Sequence, residues 1–140
     1  MPSSRDQPTS SDEPDQASEW LSSARSLLAS LAMAEQGIEA TLGRHEISAA
    51  DAPAIDFLVD HVRSGLDWLE QHHATVHTEA ATELRAALGV LRNLAFALRR
   101  LSLGKDNVAL RRSCDALIEQ SRLHVQAASV AVDEATRRSS

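Results

Sequence analysis

From Ala54 to Ser140 the chain contains no proline, and leucine, alanine and valine recur there every three to four residues. That spacing keeps apolar side chains on one face of a helix and specifies amphipathic helices. Four are predicted. The first runs from about Ala17 to Leu42, with Trp20, Leu21, Ala24, Leu27, Leu28, Leu31, Ala34, Ile38 and Leu42 in one stripe. Glu19, Arg25, Glu35 and Glu39 lie off that stripe. Ser18 or Asp15 offers a capping oxygen at its start, and Gly43 offers a residue able to take positive φ at its end. The second helix starts near Asp51, with Ser48 or Asp51 as cap and Pro53 in the first turn, where a missing N–H costs nothing. Ile55, Val59, Val62, Leu66, Leu69, His73 and Val76 alternate by four and three along it.

The third helix spans about Glu79 to Ser102, its seam being Leu84, Leu88, Leu91, Ala95 and Leu98. Gly104 ends it, and Asp106 or Asn107 caps the fourth, which reaches about Thr136. Leu110, Cys114, Leu117, Ile118, Ser121, Val125, Ala128, Val132 and Ala135 face inward on that last helix. No Gly or Pro separates the second and third helices between Leu66 and Leu88. Continuing the second seam past Val76 lands on Ala80, Glu83, Ala87 and Val90, out of phase with the strong third seam. The slip, with β-branched Thr75, Val76 and Thr78 beside it, predicts a turn capped by Thr78. Four such helices on short loops predict an all-α, antiparallel up-down-up-down bundle over residues 17–137. Residues 1–16, rich in Ser, Pro and Asp, read as a disordered tail.

Composition narrows the picture. Hydrophobic residues make up 43% of the 140, enough for a core, but aromatics only 3%, so the core is aliphatic and disfavours an aromatic-lined ligand pocket. The one cysteine, Cys114, excludes an internal disulfide and a multi-cysteine metal site, and on the inward seam it reads as an inert core thiol. The chain shows neither an apolar leader nor a membrane-length apolar run, which predicts a soluble cytoplasmic protein without membrane contact. The net charge of −6 is uneven. Residues 1–84 carry 4 basic and 15 acidic side chains, whereas residues 85–112 carry 7 and 1.

Several residues are candidates for chemistry. Glu70 and His73 have the Glu-x-x-His spacing of di-iron bundles, and His77 follows His73 by one turn. This resembles hemerythrin-like and ferritin-like families, but a second such motif is needed, and Glu119 and His124 are five apart on different faces. No cofactor is therefore expected. His61 with Gly65 one turn on is loosely similar to histidine phosphotransfer domains, which are four-helix bundles with a solvent-facing histidine. That resemblance implies phosphoryl transfer through His61, although Ser64 stands where that family has a basic residue. Gly-rich phosphate loops, Gly-x-Ser-x-Gly and His-Glu-x-x-His do not occur, which argues against an enzyme.

The remaining signals concern surfaces. On a helical wheel Phe57, His61 and Trp68 fall together, outside the strip formed by Ile55, Val59, Val62, Leu66 and Leu69. The apolar arc of the second helix then exceeds what one bundle seam needs, and its aromatics suit an interface. Phe96 lies opposite Leu91 among arginines. Arg92, Arg99, Arg100, Lys105, Arg111 and Arg112 form a patch suited to an acidic protein partner, or to Asp56, Asp60 and Asp67 of a second copy. Overall acidity and the single lysine argue against nucleic acid. The expectation is a non-enzymatic interaction module, homodimeric through its second helix, with Phe57, His61, Trp68 and Phe96 at interfaces.

Overall fold

In the computed structural model, which describes residues 8–44, 47–72, 77–104 and 108–139, the apolar stripes close against one another as four helices. They are α1 (Pro8–Arg44), α2 (Ala52–Gln71), α3 (Thr78–Ser102) and α4 (Val108–Ser139). One 3₁₀ turn, Ala49–Asp51, leads into α2. Among the described residues there is no strand. Side-chain pairs fix the directions: Arg25 reaches Asp133 and Glu39 reaches Arg122 across α1 and α4. Asp56 reaches Arg99 across α2 and α3. Each helix runs against its neighbours, the up-down-up-down order expected of the seams.

The core belongs first to α3. Leu84, Leu88, Leu91, Leu94 and Leu101 have no exposed surface, because α3 is packed by α4 on one side and α2 on the other. The α4 stripe is buried at Leu110, Cys114, Ile118, Ser121, Val125, Ala128, Val132 and Ala135, with Leu117 half-buried. Its small residues bring α4 close to α3, the most extensive contact in the fold. From α1, the residues Trp20, Leu21, Ala24, Leu28, Leu31 and Leu42 complete the interior.

Several local details differ from the sequence expectation. Backbone helix begins at Pro8 rather than Ala17, a proline at the first position being favourable. Gly43 stays inside α1 and takes no positive φ; Gly104 does, at +85°, and its N–H donates to Leu101 O at 3.0 Å as α3 ends. Ser48 and Asp51 cap reciprocally ahead of α2: Ser48 Oγ accepts from Ala50 N, and Asp51 Oδ2 accepts from Ser48 N at 2.9 Å. The second and third helices are separate, since α2 ends at Gln71 and His72 is non-helical. His77, not Thr78, holds the cap position of α3. The expected residues His73, Val76, Lys105, Asp106 and Asn107 lie outside the described residues.

The seam of α2 is turned from the predicted one. Leu58 and Gly65 are buried with Ile55, Val62 and Leu69, while Val59 and Leu66 are only half-buried. Gly65 explains the rotation. A Cβ there would stand 2.9 Å from Leu88 Cδ2 and 3.4 Å from Leu27 Cδ1, so its missing side chain lets α2 approach α3 and α1 together. A branched side chain would overpack this crossing. Gly65→Val is expected to lower the unfolding free energy by about 2 kcal/mol in urea titration; unchanged stability would mean the helices are spaced more widely than described.

Candidate functional site

Three sides of the bundle are closed and one is not. α2 packs on α3, α3 on α4 and α4 on α1, whereas α1 and α2 hardly approach through their backbones. They do meet at one end. There Trp20 of α1 stacks on Trp68 of α2, centroids 5.4 Å apart, and Trp20 Nε1 donates to His72 O at 2.9 Å. His77 lies under the same cluster, 5.7 Å from the Trp20 ring. Next along comes the Leu27–Gly65–Leu88 crossing. Beyond it the two helices part.

The gap is an apolar groove of about 480 Å³. Met33, Ala34, Gly37 and Ile38 form its α1 wall, and Ile55, Phe57, Leu58 and His61 its α2 wall. Leu98 of α3 and Ile47 also line it. Small residues cause the opening, because Ala34 and Gly37 offer α2 nothing large to pack on. Met33 and Phe57 stand at the lips, each 73% exposed. His61 stacks on Phe57 with centroids 6.2 Å apart, and its Nε2 is buried without a hydrogen-bond partner among the described residues.

The far side of α1 is held differently. A row of polar contacts joins it to α4: Arg25 with Asp133 at 3.1 Å, Glu35 with Ser121, Glu39 with Arg122, and Arg111 donating to Leu42 O at 2.7 Å. Glu35, expected off the stripe, is only 7% exposed and accepts from the fully buried Ser121 hydroxyl. Burial pushes its carboxyl above the ordinary range, partly offset by the Ser121 bond and the Arg122 charge.

The interface candidates divide. Phe57 is exposed and Phe96 is 49% exposed, but Trp68 is half-buried in the tryptophan stack and does not share a free strip with Phe57. His61 is half-buried, and Gly65 beside it faces the core, so this pair lacks the open histidine face of a phosphotransfer domain. The arginines scatter as well. Arg99 pairs with Asp56 of its own chain at 2.6 Å, and Arg111 serves the end of α1. Arg92, Arg100 and Arg112 are exposed, and Lys105 lies outside the described residues. Of the metal candidates, Glu70 is exposed on α2, His77 is buried under Trp20, and His73 lies outside the described residues. Among the described residues no three His, Cys, Asp or Glu side chains gather to hold a metal ion. Nor is any helix there long and apolar enough to cross a membrane.

The groove is the feature that sequence reasoning missed. Its signal was present as Met33 and Phe57 lying off their stripes beside the small pair Ala34 and Gly37. Comparison with protein-family models, curated proteins and solved structures finds no match to the chain.

Two measurements check the buried polar chemistry. Glu35 binds its proton more tightly in the folded chain than in the unfolded one, so it takes stability away as pH rises through the ordinary carboxylate range towards its raised value. Glu35→Gln keeps an acceptor for Ser121, and its stability advantage over the parent should grow with pH across that window and then level off. Parallel pH profiles in thermal unfolding would contradict this. Burial, and secondarily Asp115, pushes the Cys114 thiol up to about 11. Cys114 should therefore react with a thiol reagent only as fast as the chain unfolds; prompt reaction in native buffer would contradict its place in the core.

Proposed function

We propose that the chain is a non-enzymatic helical interaction module that takes a helix of a protein partner into the α1–α2 groove, with Phe57 as the principal anchor. The observation that carries this reading is an exposed aromatic on the lip of an apolar groove whose floor is already core. An amphipathic helix laid in such a groove buries its own apolar face and the groove walls together. Phe57 also needs little ordering on binding, because its ring is already stacked on His61. The one cysteine is sealed in the core, which accords with an intracellular setting.

Self-association through α2, the expectation from sequence, has weaker support than a heterologous partner. Asp56, Asp60 and Asp67 are all exposed on α2, and a two-fold contact along this helix would oppose them to their own copies. Trp68, intended as the second anchor, is engaged by Trp20. Phosphoryl transfer at His61 has no supporting observation in the geometry.

Selection of helical peptides against the folded chain tests the reading. Binders should compete with one another and lose about 30-fold or more in affinity on Phe57→Asp, the loss of a hot-spot residue. Phe96→Asp, on α3 outside the groove lining, should leave them unchanged. Binders indifferent to Phe57→Asp, or a failure to select any, would overturn it.

A further inference from the structure

We infer that the partner helix is basic; this rests on the docking groove proposed above and names the chemistry of what fills it. Charge is sorted across the bundle. Among the described side chains, the helices that form the groove, α1 and α2, carry seven acidic and two basic, net −5, of which Glu35 and Glu39 turn to α4. The opposite pair, α3 and α4, carry six acidic and nine basic, net +3. The hydrophobic groove therefore opens through the negative half of the molecule.

The local arrangement agrees with the sum. Among the described residues no lysine or arginine lines the groove, while Asp51 does, and exposed Asp60 stands one turn from Phe57. Two arginines of α2 and α3 are turned elsewhere. Arg99 is held by Asp56, and Arg63 lines a separate hollow between α2 and α3. A helix that fills the groove with leucine-like residues at three- and four-residue spacing brings its flanking side chains over this rim. Lysine or arginine there is attracted, and glutamate is repelled. The α1 wall runs from Ser30 to Thr41, so the docked stretch is about three turns, roughly 17 Å.

Other occupants fit less well. An anionic membrane surface or a nucleic acid meets the wrong sign of charge. A small ligand would be left open along one side, whereas pockets for small ligands enclose most of the ligand surface. A second copy could offer the basic α3 face, but near Arg92 and Arg100 it presents a single exposed aromatic, Phe96, to a groove that needs several apolar side chains. Such a head-to-tail contact would also propagate into open chains of copies.

Two blocked synthetic helices with the same leucine stripe, one carrying lysine and the other glutamate at the remaining positions, test the charge class by fluorescence anisotropy. The lysine peptide should bind, weaken as salt is added, and lose binding on Phe57→Ser and on Met33→Ser but not on Phe96→Ser. Asp60→Lys should weaken it by about two- to fivefold. The glutamate peptide should not bind detectably. All four positions are exposed, and circular dichroism verifies that each variant keeps its fold. Equal binding of both peptides with the same dependence on Phe57 would overturn the basic partner and leave the groove reading standing. Binding of the lysine peptide that ignores Phe57 would be general charge adhesion and would overturn the inference. Binding of neither peptide also overturns it, and the peptide selection then decides the groove separately. Concentration-dependent growth in light scattering that Phe57→Ser abolishes would assign the groove to a second copy instead.

Discussion

Burial of α3 from two sides is the constraint on which the rest of this structure depends. Each fully buried leucine on α3 contributes about 1.5–3 kcal/mol from transfer alone, and five of them are sealed by α2 and α4. α1 then adds to a core that its neighbours have largely assembled. Two of its polar contacts with α4, Arg25–Asp133 and Glu39–Arg122, are exposed ion pairs that solvent screens, so they set its register more than its stability. α2 is held by α3 and, among the described residues, is pinned to α1 at the tryptophan stack and the Gly65 crossing. Nothing in this scheme requires α1 and α2 to meet further along, and there they do not.

How much of this was legible in the sequence depends on whether a residue's place follows from its own helix or from its neighbour's. The α3 and α4 stripes follow from their own periodicity, and nearly every residue assigned to them is buried. The α2 stripe does not, because Gly65 has no side chain to count as apolar and yet decides which face turns inward. Glu35 is similar. As a charged residue it reads as off the stripe, yet it continues the seven-residue row Leu21, Leu28 and Leu42 and is buried with them. Its partner Ser121 sits in the matching row Cys114, Ala128 and Ala135, and only their pairing across two helices makes a buried carboxyl tolerable. Trp68 looked like a surface anchor from its helix alone; the ring that covers it belongs to α1. Arg99 and Arg111 leave the expected arginine patch for the same reason, since Asp56 and the Leu42 carbonyl come from other helices.

The groove and the charge distribution together make the molecule two-sided. One half carries net negative charge and opens into apolar walls; the other carries net positive charge. A bundle that needed only stability would gain by filling the gap between α1 and α2 with larger residues at Ala34 and Gly37. Leaving those positions small, with Met33 and Phe57 at the lips, keeps an apolar surface available to something outside the chain.

The central claim is that this fourth side stands open in the free chain. Oxidative footprinting of the purified protein, read by mass spectrometry, tests it most directly. Met33 and Phe57 should oxidise readily and at the same rate across protein concentrations, while Leu31 and Leu58 stay protected. Protection of Met33 and Phe57 in the isolated chain would mean that α1 and α2 close on each other, and would contradict the account.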